Sequence, residues 1–164
     1  KLIIQTLIPE NKVFQYLIKH QEKKFFEEEL KWRKSYLWPP FVQLIKLTFS
    51  HSDENKGNEM ATIMRSKLDE TISKIVPQDL QKNFNILGPA PAFTFKEKGV
   101  YKWNILIKYK YFESKIQKNI DPLLGLNLLS PLPTKNELNL RNKVLKSISF
   151  RNNWRIDIDP KDTL

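Results

Sequence analysis

From Asn85 to Lys110 apolar and polar residues alternate with a period of two, first into a kink and then out of a turn. Ile86 and Leu87 open a strand that Gly88, Pro89 and Pro91 bend, because proline cannot donate to a ladder and marks an edge or a bulge. Phe93 and Phe95 resume the alternation, and Lys96-Glu97-Lys98-Gly99 reads as a polar turn with glycine free to take a positive φ. On the return strand Tyr101, Trp103, Ile105, Ile107 and Tyr109 share one face, which wants a core. Lys102, Asn104, Leu106, Lys108 and Lys110 share the other. That second face is either the solvated side of an ordinary antiparallel sheet or a nucleic-acid surface.

The flanking segments show helical spacing. Val13, Phe14, Leu17 and Ile18 predict a helix over 10–20, after a short strand Lys1 to Leu7 stopped by Pro9. A second helix spans about 22–36 with Phe25, Phe26 and Leu30 inward, and Pro39-Pro40 ends it. A strand over 42–49 follows, then a long helix capped by Ser52 or Asp53. Its stripe is Met60, Ile63, Met64, Leu68, Ile72 and Ile75, with both methionines as core filler, and Pro77 stops it. Phe112, Ile116 and Ile120 mark a third core-facing helix that leaves Lys115 and Lys118 exposed. Between Asp121 and Thr134, Leu123, Leu124, Leu126, Leu128, Leu129 and Leu132 fall in a proline-broken loop that either packs on the domain or docks elsewhere. A short helix near 136–147 leads to a strand over 148–158, on which Trp154, Ile156 and Ile158 share a face. From residue 42 the order is β-α-β-β-α-β, which predicts an α+β fold of the ferredoxin-like sandwich type.

Charge sharpens the picture. The net charge is +10, unevenly spread. Residues 96–118 hold seven lysines against Glu97 and Glu113, and residues 135–155 hold six basic residues against Glu137. Residues 53–82 are nearly neutral, so two cationic segments flank a helix of little net charge, as a directed positive field requires. A lysine-rich codon usage is the alternative source of that charge. No apolar run reaches the roughly 18–20 residues that span a bilayer, so no membrane partner is expected. The absence of cysteine rules out disulfides and thiolate metal sites within the segment and fits a cytoplasmic location. A start without Met, inside an apparent strand, is expected of a fragment of a longer chain.

Catalytic motifs are not found: there is no G-x-x-x-x-G-K-[ST] loop, no Asp-Glu pair behind an apolar strand, and no ligand-spaced partner for His20 or His51. Asp157 and Asp159 share a strand face, but two carboxylates beside Arg155 suit surface ion pairs better than a hard cation. The segment itself is therefore expected to be catalytically silent. What remains is binding, with Lys102, Lys108, Lys110, Arg151 and Arg155 as the candidate nucleic-acid contacts and Trp38 as the aromatic ring free to stack.

Several stretches, in order, resemble one family. Leu87-Gly88-Pro89-Ala90-Pro91-Ala92 followed by Tyr101-Lys102-Trp103-Asn104-Ile105-Leu106-Ile107-Lys108 resembles the C-terminal domain of the primosomal protein N′ (PriA) replication-restart helicases. Ile3-Ile4-Gln5-Thr6 with Pro9 resembles the family's last helicase-lobe strand. Glu29-Leu30 with Arg33, then Pro39-Pro40-Phe41, resembles its junction, and Trp154-Arg155-Ile156-Asp157-Ile158-Asp159-Pro160 its closing strand. The resemblance implies a trailing edge of the second helicase lobe over 1–38 and a DNA-binding and partner-docking domain over 39–164. It implies a parent enzyme that uses ATP to unwind DNA in the 3′→5′ direction and restarts stalled forks, with ATP, magnesium and structural zinc bound upstream and no cofactor in this segment. Implied partners are branched or forked DNA, other primosome proteins and the C-terminal tail of single-stranded-DNA-binding protein, the last docked near Lys115, Gln117 and Lys118. Lys102 stands where the family more usually has arginine, which keeps the charge and loses bidentate geometry. An RNA- or ribosome-binding α+β domain, or a non-catalytic interaction domain, fits the same fold and charge.

Overall fold

The computed structural model describes residues 3–110, 115–120, 127–132, 134–147 and 153–160. Two helices lead in, α1 (Lys12–Ile18) and α2 (Glu22–Ser35). β1 (Val42–His51), α3 (Glu54–Ile75), the single turn α4 (Gln78–Gln81), β2 (Phe84–Glu97) and β3 (Val100–Lys110) follow. Then come β4 (Lys115–Ile120), β5 (Asn127–Leu132), α5 (Lys135–Ser147) and β6 (Trp154–Ile158). The fold is α+β: a four-stranded sheet in the order β2-β3-β1-β6 with every neighbouring pair antiparallel, and a separate β4-β5 ribbon.

One face of the sheet carries the core. Ile45, Leu47, Ile86, Ile105 and Ile107 meet Met64, Leu68, Ile72 and Val76 from α3 and its C-terminal end, with Val144 from α5. Period two in the strands and period three to four in α3 present these residues to one another. Asp53 caps α3, its carboxylate accepting from Lys56 N at 2.9 Å, and the same bond holds the Asp53 carboxyl below its ordinary pKa. α5 starts with a reciprocal capping box. Thr134 N donates to Glu137 Oε2 at 2.7 Å and Glu137 N donates to Thr134 Oγ1 at 3.3 Å.

α3 packs against β3 at Gly57, which is buried. A Cβ there would stand 2.9 Å from Trp103 Nε1 and 3.1 Å from its Cδ1. The indole has little room to yield, since Phe95 packs edge-on against it at 5.2 Å between centroids. Gly57→Ala gains about 1 kcal/mol of helix propensity and costs about 1–3 kcal/mol in overpacking. The expected outcome is a net loss of about 1 kcal/mol in unfolding free energy, measured by urea titration.

The β2-β3 hairpin closes on Lys98 and Gly99, both at positive φ, between the paired residues Glu97 and Val100. Two such residues in a two-residue loop match the strand twist. At Gly88, with φ +93°, a Cβ would meet Asn104 O at 2.7 Å, so only glycine fits where β2 breaks register between Leu87 and Ala90.

Four expectations change. Residues 3–7 are not a strand. Residues 115–120 are strand β4 rather than part of a third helix, and 127–132 within the expected loop are its partner β5. Residues spaced four apart, such as Ile116 and Ile120, share a face in a strand as well as in a helix, so the spacing could not decide between them. Met60 and Ile63 are exposed and the buried stripe runs instead through Gly57, Ala61, Met64, Leu68 and Ile72. Of the expected closing strand, 154–158 is observed, while 148–152 lies outside the described residues, as do Leu123, Leu124 and Leu126.

Candidate nucleic-acid interface

The face of the sheet opposite α3 and α5 is built from every second residue of three strands. β1 contributes Lys46, Thr48 and Ser50, β3 contributes Lys102, and β6 contributes Arg155 and Asp157, with Asp159 just beyond. Together they line a groove on the open face. Register sets their order: Asp157 lies opposite Lys46, Arg155 opposite Thr48, and Lys102 opposite Ser50. Thr48 Oγ1 donates to Asn104 Oδ1 at 2.9 Å, which ties β1 to β3 at the groove floor.

The groove is not uniformly cationic. Asp159 is held at one end, where its carboxylate accepts from Gln43 Nε2 at 2.7 Å and from Leu44 N at 3.3 Å. Its own N–H donates to Leu44 O at 2.8 Å, and Arg141 from α5 joins the network through Gln43 Oε1. Asp159 thus anchors the end of β6 and does not form the surface ion pair with Arg155 expected of it. At the other end Lys102 is paired with Glu97, and this bond pulls the Glu97 carboxyl below its ordinary pKa. The Glu97 carboxylate is half exposed, so releasing Lys102 to another anion costs little.

The candidate residues occupy different environments. Lys102 and Arg155 lie on the open face, Lys102 partly covered and Arg155 exposed. Lys110 is exposed at the end of β3, beyond the groove lining. Lys108 points to the same face but is not solvated. It is only 8% exposed, its Nζ donates to Tyr36 O at 3.1 Å, and it sits 4.4 Å from the centroid of the Trp38 ring. Burial lowers the ammonium's pKa below its ordinary value. Trp38, expected to be free, covers this lysine, so the strap of residues 36–41 closes one end of the open face. Arg33 holds the strap in turn, donating to Pro39 O at 3.2 Å while paired with Glu29 at 2.8 Å. Trp103 and Trp154 pack toward the core side, Trp154 against Phe49 at 4.9 Å between centroids. Arg151 lies outside the described residues; Lys115, Gln117 and Lys118 are on β4 rather than on a helix.

Sequence reasoning missed Lys46, Thr48 and Ser50. The signal was present: in β1 the residues Val42, Leu44, Lys46, Thr48 and Ser50 alternate against Gln43, Ile45, Leu47 and Phe49, so one face turns polar halfway along. Among the described residues no cluster of three or more His, Cys, Asp or Glu could hold a metal ion, and no helix is long and apolar enough to cross a membrane.

An open antiparallel sheet, with α3 and α5 on one side and a polar, cation-bearing groove bounded by the strap on the other, defines a small α+β module. The family model described as the primosomal protein N C-terminal domain matches residues 34–161, and the chain belongs to that family. The replication restart protein PriA of Synechocystis sp. is 32% identical over 112 residues, 68% of this chain and 12% of the relative. The protein of the same name from Rickettsia felis is 36% identical over 104 residues, 63% of this chain and 14% of the relative. That from Borreliella burgdorferi is 30% identical over 120 residues, 71% of this chain and 17% of the relative. The chain therefore spans less than a fifth of the length of these relatives. Membership of the family associates it with replication restart.

Proposed function

We propose that this segment is the DNA-binding and partner-docking module of a replication-restart helicase, and that the open sheet face is its DNA interface. The observation that carries the reading is the convergence of Lys46, Lys102 and Arg155, from three adjacent strands, over the hydroxyls of Thr48 and Ser50. Ammonium and guanidinium groups neutralise phosphate, and hydroxyls add donors that position a backbone without reading bases. Recognition of this kind follows the shape of branched DNA rather than its sequence. Lys110 extends the cationic surface in this reading, Arg151 remains a proposed contact outside the described residues, and Lys108 supports the face from beneath the strap.

In the same reading residues 1–38 belong to the preceding helicase lobe and 39–164 to this module, read as a ferredoxin-like sandwich with a ribbon inserted before its second helix; the sheet order β2-β3-β1-β6 supports that reading. ATP-driven unwinding, with its magnesium and structural zinc, belongs to the rest of a cytoplasmic parent enzyme. Forked DNA is expected to bind more tightly than plain duplex or structured RNA, with affinity falling as salt rises; competition at several salt concentrations measures this. Preference for RNA, or binding indifferent to salt, contradicts the reading. The segment around Lys115, Gln117 and Lys118 is the proposed dock for the acidic tail of single-stranded-DNA-binding protein. A tail peptide lacking its terminal Phe is expected to bind more weakly than the intact one, and equal binding removes that dock.

A further inference from the structure

The distribution of charge within the groove sets a direction. Lys102 and Arg155 lie on the two strands that flank β1, one opposite Ser50 and the other opposite Thr48. Strand spacing and rise place their Cα atoms about 12 Å apart on a diagonal across β6, β1 and β3. Both long side chains can therefore lean toward the two hydroxyls between them. Along β1 toward the strap the positive excess is lost: Asp157 lies opposite Lys46, and Asp159 follows, fixed by Gln43 and Leu44 N. Beyond Asp159 the strap seals the face over Lys108. A polyanion running lengthwise would pass two carboxylates and meet a wall. One crossing at the Ser50 end meets two cations and two hydroxyls.

We propose that the groove takes an unpaired DNA strand diagonally across the sheet, clamping two backbone phosphates between Lys102 and Arg155, with Asp157 and Asp159 excluding the lengthwise path. This rests on the sheet face being the DNA interface and adds the strand's path and the size of the site. Lys102 exchanges Glu97 for phosphate as the strand arrives, an exchange between a partly covered ammonium and a half-exposed carboxylate.

The test measures binding of a labelled oligothymidylate to the full chain against salt concentration, using Lys102→Gln with Arg155→Gln, and separately Asp157→Asn. The double variant is expected to bind about tenfold more weakly, with a log–log salt slope shallower by about 1.4, the release expected for two single-strand phosphates. Lys102→Arg is expected to retain affinity, since it preserves the cation. Asp157→Asn is expected to tighten binding about threefold and to steepen the slope by up to about 0.7, because neutralising that carboxylate lifts the barrier to the lengthwise path. Unchanged affinity and slope in Asp157→Asn overturn the exclusion of the lengthwise path while leaving the interface intact. An unchanged Lys102→Gln/Arg155→Gln variant overturns both the path and the interface.

Discussion

Replacing Lys108 by glutamate is expected to lower the unfolding free energy by about 3 kcal/mol, whereas Lys108→Met is expected to shift it by less than about 1 kcal/mol. The contrast follows from what surrounds the ammonium. Desolvation opposes the charge, as its lowered pKa records. Against this stand a charge-assisted bond to Tyr36 O and the face of the Trp38 ring. Those two favourable contacts are worth about 1.5–3 kcal/mol and about 0.5–2 kcal/mol, comparable to the cost of burying the charge. Methionine keeps the apolar stem and gives up both sides of the balance. Glutamate keeps the desolvation and turns attraction into repulsion, because a carboxylate would face a carbonyl oxygen and the negative face of an indole. Urea unfolding followed by tryptophan fluorescence measures both variants. Equal losses for Met and Glu would mean that the strap depends on the charge itself rather than on its packing.

The double reversal Lys102→Glu with Arg155→Glu is expected to weaken binding to forked DNA by about 100-fold at low salt and to make the salt slope shallower by about 2. Both residues sit on the open face, away from the Ile45–Leu47–Ile105–Ile107 side that holds the core. Stability is therefore expected to change by less than about 1 kcal/mol, within the range of surface charge changes. Fluorescence anisotropy with labelled forks at several salt concentrations reads the effect. A uniform loss across fork sequences marks phosphate contacts; a loss confined to one sequence would mark base readout instead.

What the chain disclosed and what it withheld divide by distance along the sequence. The two faces of β3 follow from alternation between Tyr101 and Lys110, and the hairpin from Lys98-Gly99, because strand period and turn chemistry act within a few residues. The Asp53 cap and the stop at Pro77 are equally local. The burial of Lys108 is not: Tyr36 and Trp38 reach it from seventy or more positions earlier, across two strands and two helices. Nothing adjacent to Lys108 distinguishes it from Lys102. The same holds for β4, whose spacing is compatible with both periods and whose state depends on pairing with β5. The site was half legible for a related reason. Its β3 and β6 residues stand out as cations in clean alternation, while on β1 the polar half of the face is short and follows the apolar residues Val42 and Leu44. The Thr134-x-x-Glu137 box was readable in principle and marks the start of α5 to the residue.

The chain has no cysteine, so a single one can be introduced and labelled with a photo-cross-linker. Ser50→Cys places the label in the groove between Lys102 and Arg155, and Glu59→Cys places it on exposed surface of α3, an element packed on the opposite face. With forked DNA bound, cross-linking is expected from position 50 and not from position 59. Cross-links from position 59 with none from position 50 would put the DNA on the helical side and contradict the open sheet as the interface.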